Sequence, residues 1–137
     1  MTESLIKTFF YGLFMDHEVL RAANVEPRGP CKGVVPGYRL IIGNRATLSQ
    51  SFGGQSFGML YDVSNEELHS LYSAPGLESY RSQSVLVMLE NGRFQPAITY
   101  ILHSDPLPSE RNPEYAGKLR TVLNRLGFPK EYADSIA

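Results

Sequence analysis

Apolar and polar positions follow two different periods along this chain, and the switches between them mark its elements. Thr8-Phe9-Phe10-Tyr11 is aromatic, β-prone and halted by Gly12, which predicts a strand running into a loop. Asp16 stands where an N-cap would, ahead of a short helix with Val19, Leu20 and Ala23 on one face. Pro27, Gly29 and Pro30 then break the chain. Val34-Val35 and Tyr38 to Ile42 read as strands on either side of a Pro36-Gly37 turn. Ala46 to Leu48 reads as a further short strand, and Gly53-Gly54 as a flexible connection.

Phe57 to Val63 is a strand by composition and alternation. Ser64 and Glu67 then form a capping box, the serine accepting from free helix amides and the glutamate reaching back. Leu68, Leu71 and Tyr72 follow at helical spacing until Pro75-Gly76 ends the helix. Tyr80 to Leu89 and Arg93 to Leu102 flank Asn91-Gly92, a type I′ hairpin signal, and Pro96 suits an edge position or a bulge. His103 to Arg111 is a polar loop. Asn112-Pro113 predicts an N-cap with proline in the first turn. Tyr115, Leu119, Val122, Leu123 and Leu126 give the next helix its apolar stripe, and Gly127 ends it. Pro129 starts a last short helix around Tyr132. Strands dominate with two or three helices outside them, so the fold class is α+β, built as a small mixed β-barrel or sheet with peripheral helices.

Composition narrows this picture more than it extends it. The 137 residues fit one domain, spanning 1–137, long enough to bury a core without staples. The net charge is −1, and no Lys/Arg-rich run points to nucleic acid or an anionic membrane. Cys31 is the sole cysteine, so no intrachain disulfide can form, and an inert thiol is the default. The N-terminus lacks a basic region followed by an apolar run, and the apolar runs are too short to span a bilayer, so a cytoplasmic location is expected. His17, His69 and His103 share no metal-ligand spacing with each other or with Cys31, and no metal or cofactor is expected. Gly53-Gly54 lacks the context of a phosphate loop.

Four segments, in order, are similar to those of the γ-glutamylcyclotransferase (AIG2-like) family. Phe10-Tyr11-Gly12-Leu13-Phe14-Met15 resembles the family's Tyr-Gly-Ser loop after strand one. Val35 to Asn44 resembles the strand ending near Gly-Asn. Phe57 to Tyr80 resembles the segment that carries the family's catalytic Glu-Gly pair. Asn112-Pro-Glu-Tyr115 and Leu126 to Tyr132 resemble its closing helix and tail. Singly these matches are weak; their order along nearly the whole chain carries the weight.

The resemblance implies a small β-barrel with a pocket at one mouth, and a reaction that is intramolecular. The α-amine of a γ-glutamyl group attacks its own side-chain carbonyl, giving 5-oxoproline and a released amine. A carboxylate is required because the ammonium must lose a proton and the leaving nitrogen must gain one. Carried over by position, the substrate-binding residues are Tyr11, Gly12, Leu13 and Phe14 in the loop, with Tyr80 and Tyr115 as walls.

This chain departs from that pattern in two places. Pro75 occupies the position of the acid, and Leu13 replaces a polar loop residue. Glu78, three residues on, is the substitute acid/base candidate, against the alternative of a solvated loop acid or a partner for Arg81. Asp16 and Glu18 are weaker candidates. Arg45, after Gly43-Asn44, is placed to hold a substrate carboxylate bidentately or to be a surface arginine. Tyr80 and Arg81 alternate on a strand, so they should face opposite sides.

Two functional readings follow. One is an enzyme acting on a small γ-glutamyl amine through a non-standard acid/base. The other is a catalytically inactive or repurposed member binding a small amino-acid-like ligand. Nothing in the pattern chooses between monomer and homodimer.

Overall fold

The computed structural model describes residues 4–136, in which five strands close into a barrel in the order β1-β3-β2-β4-β5. The strands are β1 (Leu5–Phe10), β2 (Arg28–Ile42), β3 (Ala46–Ser64), β4 (Tyr80–Leu89) and β5 (Phe94–Leu102). The helices are α1 (His17–Ala22), α2 (Asn65–Tyr72), α3 (Pro113–Arg125) and α4 (Lys130–Asp134), with a 3₁₀ turn over Leu13–Met15. Neighbouring strands run antiparallel except β1 and β5, which close the barrel in parallel at Thr8 and Ile98. The Thr99 hydroxyl reinforces this seam by donating to the Phe9 carbonyl at 2.8 Å. None of the helices described is long and apolar enough to cross a membrane.

Strand alternation divides the core into two layers. Phe9, Leu60, Val35, Leu48 and Val87 fill the barrel interior. Their neighbours Phe10, Met59 and Tyr61 point outward and are covered by Leu20, Leu68, Leu71, Leu119 and Leu123 from the helices. Each helix covers the barrel through the apolar stripe its sequence predicts. Asn112 caps α3 by accepting from the Tyr115 amide at 3.1 Å, and Pro113 sits in its first turn.

Three expectations need correction. Pro36-Gly37 is not a turn between strands: β2 runs for 15 residues through it, and the register slips between Pro36 and Tyr38. Gly37, at φ 85°, occupies the irregular position that glycine adopts without a Cβ penalty. Opposite it, Ala46–Leu48 and Gly53-Gly54 are parts of a single 19-residue strand, β3, not a short strand and a flexible connection. Gln50 and Gln55 flank the same slip, so Ser51 to Gly54 bulge outward and leave the Phe52 ring fully in solvent.

The third correction concerns the β4–β5 hairpin. A type I′ turn needs positive φ at both central residues, but Asn91 keeps a negative φ and only Gly92, at 83°, is left-handed. The Gly92 amide donates to Leu89 and the Leu89 amide to Arg93, which makes a three-residue loop with a glycine bulge. Pro96, as expected, sits where one side of β5 is free of strand pairing, since β5 meets β1 only at Ile98.

The capping box on α2 forms with both of its bonds, Glu67 amide to Ser64 hydroxyl at 3.1 Å and Ser64 amide to Glu67 carboxylate at 2.9 Å. Glu67 also accepts from the Glu26 amide at 2.7 Å and from Arg28 at 3.0 Å. Burial alone would raise its pKa, but the two amides, the guanidinium and the hydroxyl together outweigh burial and hold it at about 2. A depressed carboxylate stabilises the fold above its unfolded pKa of 4.5 and loses that contribution as pH falls through about 2. Between pH 6 and pH 2 the native protein should lose up to about 3 kcal/mol more than Glu67→Gln in chemical denaturation. Equal losses would mean that this network does not hold α2 to the start of β2.

Candidate functional site

At the end of β1 the chain leaves the barrel wall and folds over its mouth. Tyr11 points inward and donates to the Tyr100 carbonyl at 2.7 Å. Gly12 then lets the backbone pass against α3, where a Cβ would sit 2.3 Å from the Tyr115 hydroxyl. The 3₁₀ turn follows, closed by Met15 amide to Gly12 carbonyl at 3.0 Å. Two outer contacts hold the turn's far side. Tyr61 donates to the Met15 carbonyl at 2.7 Å, and Asp16 pairs with Arg125 at 2.6 Å while capping α1 through the Glu18 amide.

A second loop completes the mouth. Asn44 is held by Glu110, which accepts its amide at 3.0 Å, and by Asn112, which donates to its carbonyl at 3.1 Å. This presents Arg45, whose Nη1 donates to the Ser79 hydroxyl at 2.9 Å. Between the two loops lies a cavity of about 200 Å³. All seven residues expected to bind substrate (Tyr11, Gly12, Leu13, Phe14, Arg45, Tyr80 and Tyr115) line it.

Tyr72, Leu77 and Asn44 also line the cavity and were not singled out from the sequence. Tyr72 shares the helical spacing of core residues, and only the stacking of its ring on Tyr100 (3.9 Å between centroids, 14° between planes) turns it toward the cavity. An aromatic at the end of the helix, just before Pro75-Gly76, is the available signal. Leu77 enters because the turn after α2 folds inward over the mouth.

Glu78, the acid/base candidate, lies outside the cavity lining and is exposed. Its own backbone amide chiefly, then those of Gly76 and Leu77 and the charge of Arg45, lower its pKa. Arg81 donates to the Glu78 carbonyl oxygen at 3.3 Å and is exposed, while Tyr80 turns inward as strand alternation requires. The weaker candidate Asp16 is buried and occupied by Arg125 and the α1 cap, and Glu18 is exposed on α1.

The interior chemistry of the cavity is phenolic. Tyr80 donates to the Ala46 carbonyl at 2.5 Å, and Tyr115 accepts from the Leu13 amide at 3.2 Å. Burial raises the pKa of Tyr11, Tyr72, Tyr80 and Tyr115, and mutual repulsion among the phenolates would raise most of them further. They are therefore neutral hydrogen-bonding groups at physiological pH, and among the described residues Arg45 supplies the only charge in the lining. No three His, Cys, Asp or Glu side chains gather as a metal site among the described residues.

The structure is similar to several known ones. A protein from Homo sapiens described as uncharacterized superposes with a TM-score of 0.80 at 21% identity, covering 98% of this chain and 87% of its own. A structure described as a gamma-glutamyl cyclotransferase also gives 0.80 at 21%, covering 96% and 86%. YkqA from Bacillus subtilis gives 0.76 at 23%, with 96% of this chain on 52% of the other. No curated protein matches the sequence. The family model described as gamma-glutamyl cyclotransferase, AIG2-like, matches residues 8–118. With its barrel and mouth loops built from that matched region, the chain belongs to the AIG2-like gamma-glutamyl cyclotransferase family.

Proposed function

We propose that this protein binds a small, amino-acid-sized carboxylate in the barrel-mouth cavity and does not catalyse the cyclisation to 5-oxoproline. The observation that carries the proposal is the absence of any Asp or Glu from the cavity lining among the described residues. Cyclisation needs a group that takes a proton from the substrate ammonium and returns one to the leaving nitrogen, with a pKa near the working pH. Four phenols raised above their ordinary value and one guanidinium do not supply it. Pro75, at the position the resemblance gives to the acid, has no titratable side chain.

Binding remains well supported by the same residues. Arg45 offers a charge-assisted donor pair at the mouth, and the aromatic walls exclude water from whatever sits below it. A hydrogen-bonded charge of this kind contributes about 1.5–3 kcal/mol. In a calorimetric panel of glutamate derivatives, 5-oxoproline and other small carboxylates, at least one should bind, and Arg45→Gln should weaken it by about tenfold or more. No heat and no thermal stabilisation from any small carboxylate would contradict the proposal.

A second reading keeps the enzyme. Glu78 is close enough to feel the charge of Arg45, which itself lines the cavity. A rotation of the Pro75–Ser79 turn would then carry its carboxylate toward the mouth, to act as acid and base on a γ-glutamyl amine. Its lowered pKa makes it a weaker base than the reaction favours.

A further inference from the structure

Among the described residues the polar side chains of the lining are phenols, one amide and one cation, with no carboxylate. The Tyr115 hydroxyl accepts from the Leu13 amide, which leaves its own proton to donate. Among the described residues the Tyr72 hydroxyl has no hydrogen-bond partner, yet it is not sealed off from solvent-sized space, and Tyr72 lines the cavity. Arg45 spends one nitrogen on Ser79 and keeps the others. The acceptors beside these donors are all neutral: the Tyr11 and Tyr80 hydroxyl oxygens, whose protons go to the Tyr100 and Ala46 carbonyls, and the Asn44 side chain at the rim.

An ammonium brings three donors and a positive charge. Here it would face neutral acceptors, no carboxylate and another cation. Ring faces can attract an ammonium by about 0.5–2 kcal/mol, but the repulsion from Arg45 and the lack of a counter-charge oppose that term. A carboxylate without an ammonium has neither problem.

The walls add the second requirement. Phe14 meets Tyr72 edge-on with centroids 6.3 Å apart and planes at 81°, and Tyr72 lies 6.0 Å from Tyr80. Aromatic pairs adopt such offset and edge-on arrangements, and a ligand ring in the cavity can meet the lining rings on the same terms. Size agrees: an apolar cavity of ~150 Å³ holds benzene, and this one is about 200 Å³. One ring with a short acid arm fits within that volume.

Building on the binding reading above, we propose that the cavity's ligand is an arylcarboxylate lacking an ammonium group, with its acid on Arg45, its ring among Phe14, Tyr72 and Tyr80, and Tyr72 reading a polar ring substituent. Tyr72 is thereby a specificity-determining residue. Arg45 is held at the mouth by its bond to the Ser79 hydroxyl, next in the chain to Tyr80, so the acid end lies there.

The test is isothermal calorimetry on the full chain with phenylacetate, 4-hydroxyphenylacetate, phenethylamine, L-phenylalanine and γ-glutamyl methylamide. Phenylacetate should bind at least tenfold more tightly than phenethylamine or phenylalanine, and 4-hydroxyphenylacetate about fivefold more tightly than phenylacetate. Tyr72→Phe should remove that fivefold gain, bringing the ratio of the two arylacetates to about one, and leave the melting temperature unchanged, because among the described residues the hydroxyl has no hydrogen-bond partner. Arg45→Gln should weaken both acids by at least tenfold. Preferential binding of phenethylamine, or a Tyr72→Phe variant that keeps the fivefold gain, overturns the assignment. If γ-glutamyl methylamide binds and the arylacetates do not, the ligand class is wrong while the binding function stands. If no carboxylate binds, both fall.

Discussion

Gly58→Ala should destabilise the domain by about 3 kcal/mol, read as a drop in denaturant midpoint at unchanged slope. A Cβ there would lie 2.3 Å from the Phe10 carbonyl oxygen and 2.7 Å from the Phe9 ring. The first of these neighbours is backbone, so it cannot swing aside. Gly58 is paired with Gly33 of β2 and precedes Met59, which is paired with Phe10 of β1, so the added methyl pushes on two seams of the barrel. The strain would also pass to Tyr11 and Gly12, immediately after Phe10. A loss below 1 kcal/mol would mean that β1 and β3 pack more loosely than described.

Gly12→Ala should remodel the cavity itself. At φ −112° and ψ −150° the backbone accepts an alanine, so the effect is one of space alone. The new methyl would sit 2.3 Å from the Tyr115 hydroxyl and 3.6 Å from the carbon that bears it. Tyr115 would have to leave, losing its bond to the Leu13 amide. The expected cost is about 1–3 kcal/mol of stability and about tenfold in affinity for any cavity ligand. Tyr115→Phe removes the clashing oxygen and leaves an ordinary contact, so the double variant Gly12→Ala/Tyr115→Phe should regain at least about 1 kcal/mol over additivity. Strict additivity of the two changes would show that Gly12 is not the residue that admits Tyr115.

The elements legible in the sequence were those set by local chemistry. Ser64 and Glu67, Asn112-Pro113 and Gly127 carry their capping partners within four residues, so their helices were readable without any tertiary information. The long β2–β3 ribbon was not. Pro36-Gly37 and Gly53-Gly54 look locally like turns, and only the pairing of the flanking residues across the ribbon makes them bulges. Asn91-Gly92 marked the hairpin correctly and its geometry incorrectly, because Asn91-Gly92 also serves a three-residue loop.

The candidate site divided in the same way. The Tyr-Gly loop, Arg45, Tyr80 and Tyr115 were legible through the family resemblance, and they converge on one cavity. Tyr72 was hidden because helical spacing tells which face is apolar, not whether that face meets a core or a cavity. Glu78 stands three residues from Pro75 in sequence, and a tight turn decides side-chain direction on a scale that sequence distance does not carry. The same turn instead delivers Leu77 to the cavity.

The reaction itself gives the most direct test of the proposed function. Release of 5-oxoproline should be followed from a set of γ-glutamyl amines at neutral pH, with the native chain and Glu78→Gln side by side. Rates with both proteins should match the uncatalysed background. Release by the native chain that Glu78→Gln abolishes would contradict the proposal and assign the missing acid to Glu78.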